Sequence, residues 1–169
     1  MIGGSSSHRI FLAIGSNIEP RSSNLESAIK QLIQAKIIIK QQSHIYLTKP
    51  WGYLDQPDFL NMVIEGETDC TPAELLITVK KIEFEMGRKK TIKNGPRNID
   101  IDILLYDMIQ FENSKLKIPH PNMTERIFVM RPLDDLVPDL VIPGKDQTVH
   151  QYVIGLNPDG IRTWSENNV

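Results

Sequence analysis

The chain lacks the features that most readily fix a protein's class. It has one cysteine, Cys70, in 169 residues. That excludes an internal disulfide and any zinc site built on several cysteines. No apolar run approaches the roughly 20 residues of a membrane-spanning helix, and no segment joins a basic start, a long apolar stretch and a small-residue cleavage site, so no secretory leader is expected. A strong charge of either sign is missing too. The formal net charge is −2, too small to draw the chain to nucleic acid or an anionic membrane by its field. No Walker A sequence, GxSxG elbow or HExxH helix is present. What remains is an ordinary globular composition, 40% hydrophobic and 24% charged, of a length that suits one domain. A reduced, cytoplasmic setting fits it. The Gly/Ser-rich opening, residues 1–8, reads as a disordered or tag-like tail, leaving 9–169 as a single domain.

The pattern along the chain mixes strands and helices irregularly. RIFLAIGSN (9–17) reads as a strand running into a turn. A helix follows, with Ser23 and Glu26 at capping-box spacing and Leu25, Ile29, Leu32 and Ile33 on one face. Residues 37–47 suggest a second strand, and TKPWGYLDQP (48–57) a structured loop. FLNMVIEGET (59–68) alternates, placing Phe59, Asn61 and Val63 on one face and Leu60, Met62 and Ile64 on the other. Thr71-Pro-Ala-Glu74 opens a second helix, which should run to about Met86 and stop at Gly87. Then comes NIDIDILLYD, where Ile99, Ile101, Ile103 and Leu105 alternate with polar neighbours. Residues 125–140 look partly helical, and the tail beyond is weakly patterned. The sum is an α+β domain with a mainly antiparallel sheet.

The chemistry concentrates in residues 83–102. A period of two sends the carboxylates of Asp100 and Asp102 out of one face, with Cα atoms about 6.5–7 Å apart. Two such charges repel unless a cation joins them, and Mg²⁺ suits hard oxygen donors. A solvent-facing polar edge is the alternative for those two residues alone. GRKKTIKNGPR (87–97) adds Arg88, Lys89, Lys90, Lys93 and Arg97, five cations in 11 residues with glycines at 87 and 95, suited to a loop closing over a polyphosphate. Glu83 falls at the edge of the apolar arc of its helix, so it needs a partner. Phe59 beside Asn61 could stack on and hydrogen-bond a flat heterocycle. His120 and Arg126 follow a proline turn as candidate phosphate contacts.

In that order, FLAIGSN, YLTKPWGYLDQPDFLN, EFEMGR, GPRNIDIDILLY, IPHPNMTERIFVMRPL and VPDL resemble 6-hydroxymethyl-7,8-dihydropterin pyrophosphokinase of folate biosynthesis, over about residues 10–140. The resemblance implies a ferredoxin-like α+β core, a central mainly antiparallel sheet flanked by helices. It implies transfer of the β,γ-pyrophosphoryl group of ATP to the pterin hydroxymethyl, with release of AMP. Asp100 and Asp102 would hold two Mg²⁺ ions, and with Arg88 and Arg97 form the catalytic set. Glu83, Arg88, Lys90, Arg97, Ile103, His120 and Arg126 would bind ATP. Thr48, Lys49, Trp51, Phe59, Asn61 and Phe128 would bind the pterin. The partners are then small molecules, with neither nucleic acid nor membrane, in a monomer or in association with another folate-pathway enzyme.

Three positions depart from the family pattern. Asn94 stands where many members carry Trp, Lys90 where a second loop arginine is common, and Pro121 where tyrosine is frequent. An active enzyme with a looser loop is the expectation. Two other classes compete: a nucleotide-sugar glycosyltransferase, which also uses Asp-x-Asp but needs more chain, and a ferredoxin-like RNA-binding module. The second wants a basic sheet with paired aromatics, and aromatics here are only 7%.

Overall fold

The computed structural model describes residues 6–167. Its elements follow in the order β1 (His8–Ser16), α1 (Arg21–Gln34), β2 (Ile38–Gln42), β3 (Tyr46–Thr48), β4 (Phe59–Thr68), α2 (Pro72–Glu85) and β5 (Asp100–Tyr106). After them come the small hairpin β6 (Phe111–Glu112) and β7 (Lys117–Ile118), then α3 (Ile127–Leu136), α4 (Val149–Gly155) and β8 (Ile161–Thr163). The central sheet runs β5-β1-β4-β3-β8, with β2 also on β4, and its pairs are antiparallel. Two split βαβ units interleave in this order, which is the ferredoxin-like arrangement.

The sheet is buried on both faces. Even-numbered residues of β1 and β4 meet Leu25, Ala28 and Leu32 of α1 and Leu75, Val79 and Ile82 of α2. The opposite face sets Phe11 and Val63 against Val129, Met130 and Leu133 of α3. The β5 alternation holds through Ile103 and then breaks. A bulge pairs Phe11 with Leu105 and Leu12 with Ile103. Leu104 and Leu105 therefore both join the α3 core, and Leu105 leaves the face the alternation assigned it.

Other boundaries shift for local reasons. Helix α1 begins before Ser23, and its cap, Pro20, makes no side-chain bond. Glu19 instead accepts the Arg21 N–H at 3.0 Å, so the Ser23–Glu26 capping box does not form. The expected strand at 37–47 divides at Ser43, whose Oγ accepts the Val63 N–H and donates to the His44 carbonyl. Thr71 and Glu74 do form a capping box, and α2 ends as expected, with Gly87 at φ 82°. The tail carries α4 and β8, although its hydrophobic pattern is weak. A Thr148–Gln151 capping box is the signal that marks α4. Strand β1 starts at His8, inside the segment assigned to the tail; residues 1–5 lie outside the described residues. No described helix is long and apolar enough to cross a membrane.

Candidate active site

Helix α3 covers only part of its sheet face, and the uncovered end becomes a cleft. Asp100 stands opposite Gly15 and Asp102 opposite Ala13. Directly opposed residues share a face, so two small residues leave the carboxylates room above the sheet. On the other side of β1, Gly15 faces Asn61, and a Cβ at Gly15 would collide with the Asn61 side-chain oxygen. The cavity over this floor has a volume of about 280 Å³ and is walled by Thr48, Lys49, Trp51, Phe59, Asn61, Arg88, Arg97, His120, Arg126 and Phe128. Residues far apart in sequence, singled out for different reasons, therefore converge on one cleft.

Charge is organised around Asp100. Arg88 donates to Asp100 Oδ1 at 2.8 Å and Arg97 to Oδ2 at 3.0 Å. Behind Arg88, the same guanidinium reaches Glu83 Oε1 at 2.5 Å. Glu83 is 3% exposed. It also accepts the Ile101 N–H at 2.8 Å and the Lys80 ammonium at 3.0 Å. This buried carboxylate is paired on every side, as burial demands. It positions Arg88 from behind and walls neither cleft.

Asp102 differs from its neighbour. Burial first, then the charge of Asp100, push its carboxyl up to about 7. The charges of Lys80 and Arg126 pull it down by less. A carboxyl pushed up by a second carboxylate can be returned to the anion by a cation between them. Among the described residues no cluster of three or more His, Cys, Asp or Glu side chains converges. The donor set that fits a hard divalent ion is thus this pair, with the remaining positions left to water or phosphate oxygens.

His120 lies across the cleft, and burial followed by Arg126 pushes it down to about 4. It is neutral at pH 7. Its Nδ1 accepts the Asn122 N–H at 3.3 Å, which leaves Nε2 carrying the proton. Arg126 stacks on Trp51 at 4.7 Å and Phe128 at 5.8 Å, and Arg97 on Phe59 at 5.0 Å. The aromatic faces of the cleft are covered by guanidinium groups.

A second cleft opens on the far side of β5. Leu76, Ile103, Leu116 and Pro121 give it apolar walls, with Lys80, Lys115 and Lys117 around them. Asp102 and His120 line both clefts, so the two meet there. Lys90 lines neither.

Sequence reasoning missed the hub that joins the loops. Asn17, 1% exposed, accepts the Arg97 N–H at 2.9 Å and donates to Gln56 Oε1 and the Pro57 carbonyl, each at 2.9 Å. Gln56 in turn donates to the Asn94 carbonyl at 2.6 Å. The Gly-Ser-Asn turn marked only a turn, because the partners of Asn17 lie 39 and 80 positions away. Lys80 was missed as well; its spacing of three from Glu83 is the signal that would have found it.

The profile of one protein family matches residues 11–138, about three-quarters of the chain. The chain belongs to the 7,8-dihydro-6-hydroxymethylpterin-pyrophosphokinase (HPPK) family. It is 38% identical over 161 residues to the Bacillus subtilis 2-amino-4-hydroxy-6-hydroxymethyldihydropteridine pyrophosphokinase, spanning 94% of this chain and 91% of that one. It is 40% identical over 157 residues to the mitochondrial folate synthesis bifunctional protein of Arabidopsis thaliana, covering 93% of this chain but 28% of the plant protein. A crystal structure of Plasmodium falciparum HPPK-DHPS shares the fold, with a TM-score of 0.72 at 15% identity over 91% of this chain and 46% of the parasite chain. The chain thus matches nearly all of a bacterial HPPK and a minor part of the longer relatives. The residues assigned to ATP and pterin by resemblance fall around the two clefts, apart from Glu83, which stands behind Arg88, and Lys90.

Proposed function

We propose that this chain transfers the pyrophosphoryl group of ATP to the hydroxymethyl group of 6-hydroxymethyl-7,8-dihydropterin, releasing AMP, as a step of folate biosynthesis. The observation that supports this reading best is the meeting of the two clefts at Asp102 and His120. Two flat heterocycles can then lie on either side, with the phosphates between them at the charged centre. The adenine side is the apolar cleft of Leu76 and Ile103; the pterin side holds Phe59, Asn61, Trp51 and Phe128.

The bond that forms joins the pterin hydroxymethyl oxygen to the β-phosphorus. The bond that breaks joins the β-phosphorus to the oxygen bridging it to the α-phosphate, which leaves on AMP. Arg88 and Arg97 rest on Asp100 without ligand and turn to phosphate oxygens when these arrive, so the cations are in place before charge develops. Neutral His120 donates an Nε2–H hydrogen bond to a phosphate oxygen and keeps its proton. Two Mg²⁺ ions held by Asp100 and Asp102 would offset phosphate charge and acidify the attacking hydroxyl. The loop at 87–97, tied through Asn17 and Gln56 to the loop at 48–57, excludes water that would otherwise take the pyrophosphoryl group.

The chain acts in this reading as a single pyrophosphokinase domain, monomeric and cytoplasmic, and fused relatives make association with another folate-pathway enzyme a natural extension. AMP release from ATP and Mg²⁺, with and without the pterin, tests it. AMP appearing only with the pterin and vanishing with EDTA is the expected result. ADP in its place means γ-phosphoryl transfer and overturns the reaction.

A further inference from the structure

The C-terminal segment, which carries no part of the chemistry above, is attached to the pterin side of the cleft. Strand β8 pairs with β3 so that Ile161 faces Thr48, Arg162 faces Leu47 and Thr163 faces Tyr46. The pairing is extended at both ends. The Gly160 carbonyl accepts the Lys49 N–H at 2.8 Å, and the Trp164 N–H donates to the Ile45 carbonyl at 2.8 Å. Half-buried Trp164 packs against the main core. Gly160 sits at φ 78°, and a Cβ there would lie 2.6 Å from Lys49 Cγ. A side chain at residue 160 would therefore have to displace the Lys49 stem.

Strand β3 spans three residues, too short to hold its geometry without neighbours on both edges. What it carries is specific. Thr48, 2% exposed, accepts a hydrogen bond from Asn61 Nδ2 at 2.7 Å through its Oγ1. That bond ties the Asn61 amide to β3 and fixes where it sits at the cleft floor. With Nδ2 engaged by Thr48, Oδ1 faces the cleft beside Gly15 as an acceptor. A ligand edge bearing N–H donors is matched; an edge bearing acceptors is not.

We infer that β8 is a positioning element for pterin recognition: by bracing β3 it holds Thr48, which anchors the Asn61 amide at the cleft floor where it meets the edge of the heterocycle. The inference rests on the proposed function and deepens it. Its effect falls on one substrate. No residue of β3 or β8 lines the second cleft, so the adenine side of ATP binding is expected to be unchanged.

The test compares the full-length chain with Gly160→Val and Arg162→Pro, each followed by amide exchange at Lys49 and Trp164, by thermal unfolding, and by steady-state AMP release. The first variant drives a side chain into Lys49; the second breaks the strand from within. Faster exchange at both amides, a pterin KM raised about tenfold (a cost of about 1.4 kcal/mol) and an ATP KM changed less than twofold support the inference. A second readout is the preference for the natural substrate over its 2-deamino analogue, which should shrink in both variants as the Asn61 amide loses its anchor. Released amides with an unchanged pterin KM overturn it. So does an equal loss on both substrates, which would make β8 merely structural. Amides still protected in Arg162→Pro would show that the strand does not brace β3, and overturn it too. Wild-type turnover, measured alongside, separates these outcomes from failure of the functional reading itself.

Discussion

The two ends of the central sheet build their halves of the cleft by opposite means. At the β5 end, Glu83, Arg88, Arg97, Asp100 and Asp102 lie within 20 consecutive residues, and all but Asp102 are linked by direct ion pairs. At the β3 end, Thr48, Asn61, Phe128 and Gly160 come from four separate segments; strand pairing joins three of them and helix α3 supplies Phe128. The first end is an electrostatic device written in one stretch of chain. The second is a shape made by register. A local device can be read from residue types and spacing; a shape made by register needs the fold.

The sharpest way to break that contrast is to remove the centre of the charged end. Asp100→Ala should lower turnover by at least about 1,000-fold, a barrier increase of about 4 kcal/mol. Thermal stability should change by less than about 1 kcal/mol, because the lost ion pairs are partly solvated and Arg88 keeps Glu83. AMP release measured beside a melting curve checks both halves. An unfolded variant would make Asp100 structural and remove the contrast.

Next in size is a pair of opposed titrations inside the charged end. Asp102 has a folded value of about 7 against an ordinary 3.8. Between about pH 4 and 7 the folded state therefore holds a proton the unfolded chain has lost, and stability falls as pH rises through that window. His120 has a folded value of about 4 against 6.5. Here the unfolded chain takes the proton first, and stability falls as pH drops from 6.5 to 4. The two slopes oppose each other in the wild type. Each is worth on the order of 2 kcal/mol once solvent exposure is allowed for. In EDTA, urea unfolding of Asp102→Asn should show stability falling on acidification, and His120→Gln should show it rising. Parallel slopes in the two variants would mean that the groups do not sit in the environments described.

Thr48→Val probes the other end with a smaller effect. It keeps the shape and removes the acceptor for Asn61 Nδ2. The pterin KM should rise about tenfold, near 1.4 kcal/mol, with the ATP KM unchanged. Equal changes in both would show that the two ends are not separable.

The difference between the ends also explains what the sequence told. Period two on β5 as far as Ile103 and the capping box of Thr71 are local, and they survive folding intact. The β5 bulge at Leu104, the division of 37–47 at Ser43 and the placement of β8 depend on partners elsewhere in the chain: Phe11, Val63 and Leu47. No pattern within those segments encodes them. Resemblance to a family brought Thr48 and Phe128 to notice, but Asn17 and Gln56, which tie the loops, are ordinary amides whose meaning lies in whom they meet.

Asn94 is where the two kinds of construction touch, and it carries the smallest prediction. Its backbone is left-handed, φ 59°, a conformation asparagine tolerates better than bulky residues do. Its carbonyl accepts from Gln56, and its side chain lies against Gly52, where a Cβ would come within 2.7 Å of Nδ2. A tryptophan here, the residue the family pattern leads one to expect, would have to adopt the same turn over the same glycine. Asn94→Trp should therefore cost about 1 kcal/mol of stability without tightening pterin binding, whereas Asn94→Gly keeps the turn and its carbonyl bond and should be close to neutral. Melting curves and pterin titrations of the two variants decide it. If Trp instead tightens the pterin at no cost in stability, the loop is free to rebuild its turn. The amide clasp from Asn17 through Gln56 would then be incidental to how the charged end closes over the pterin end.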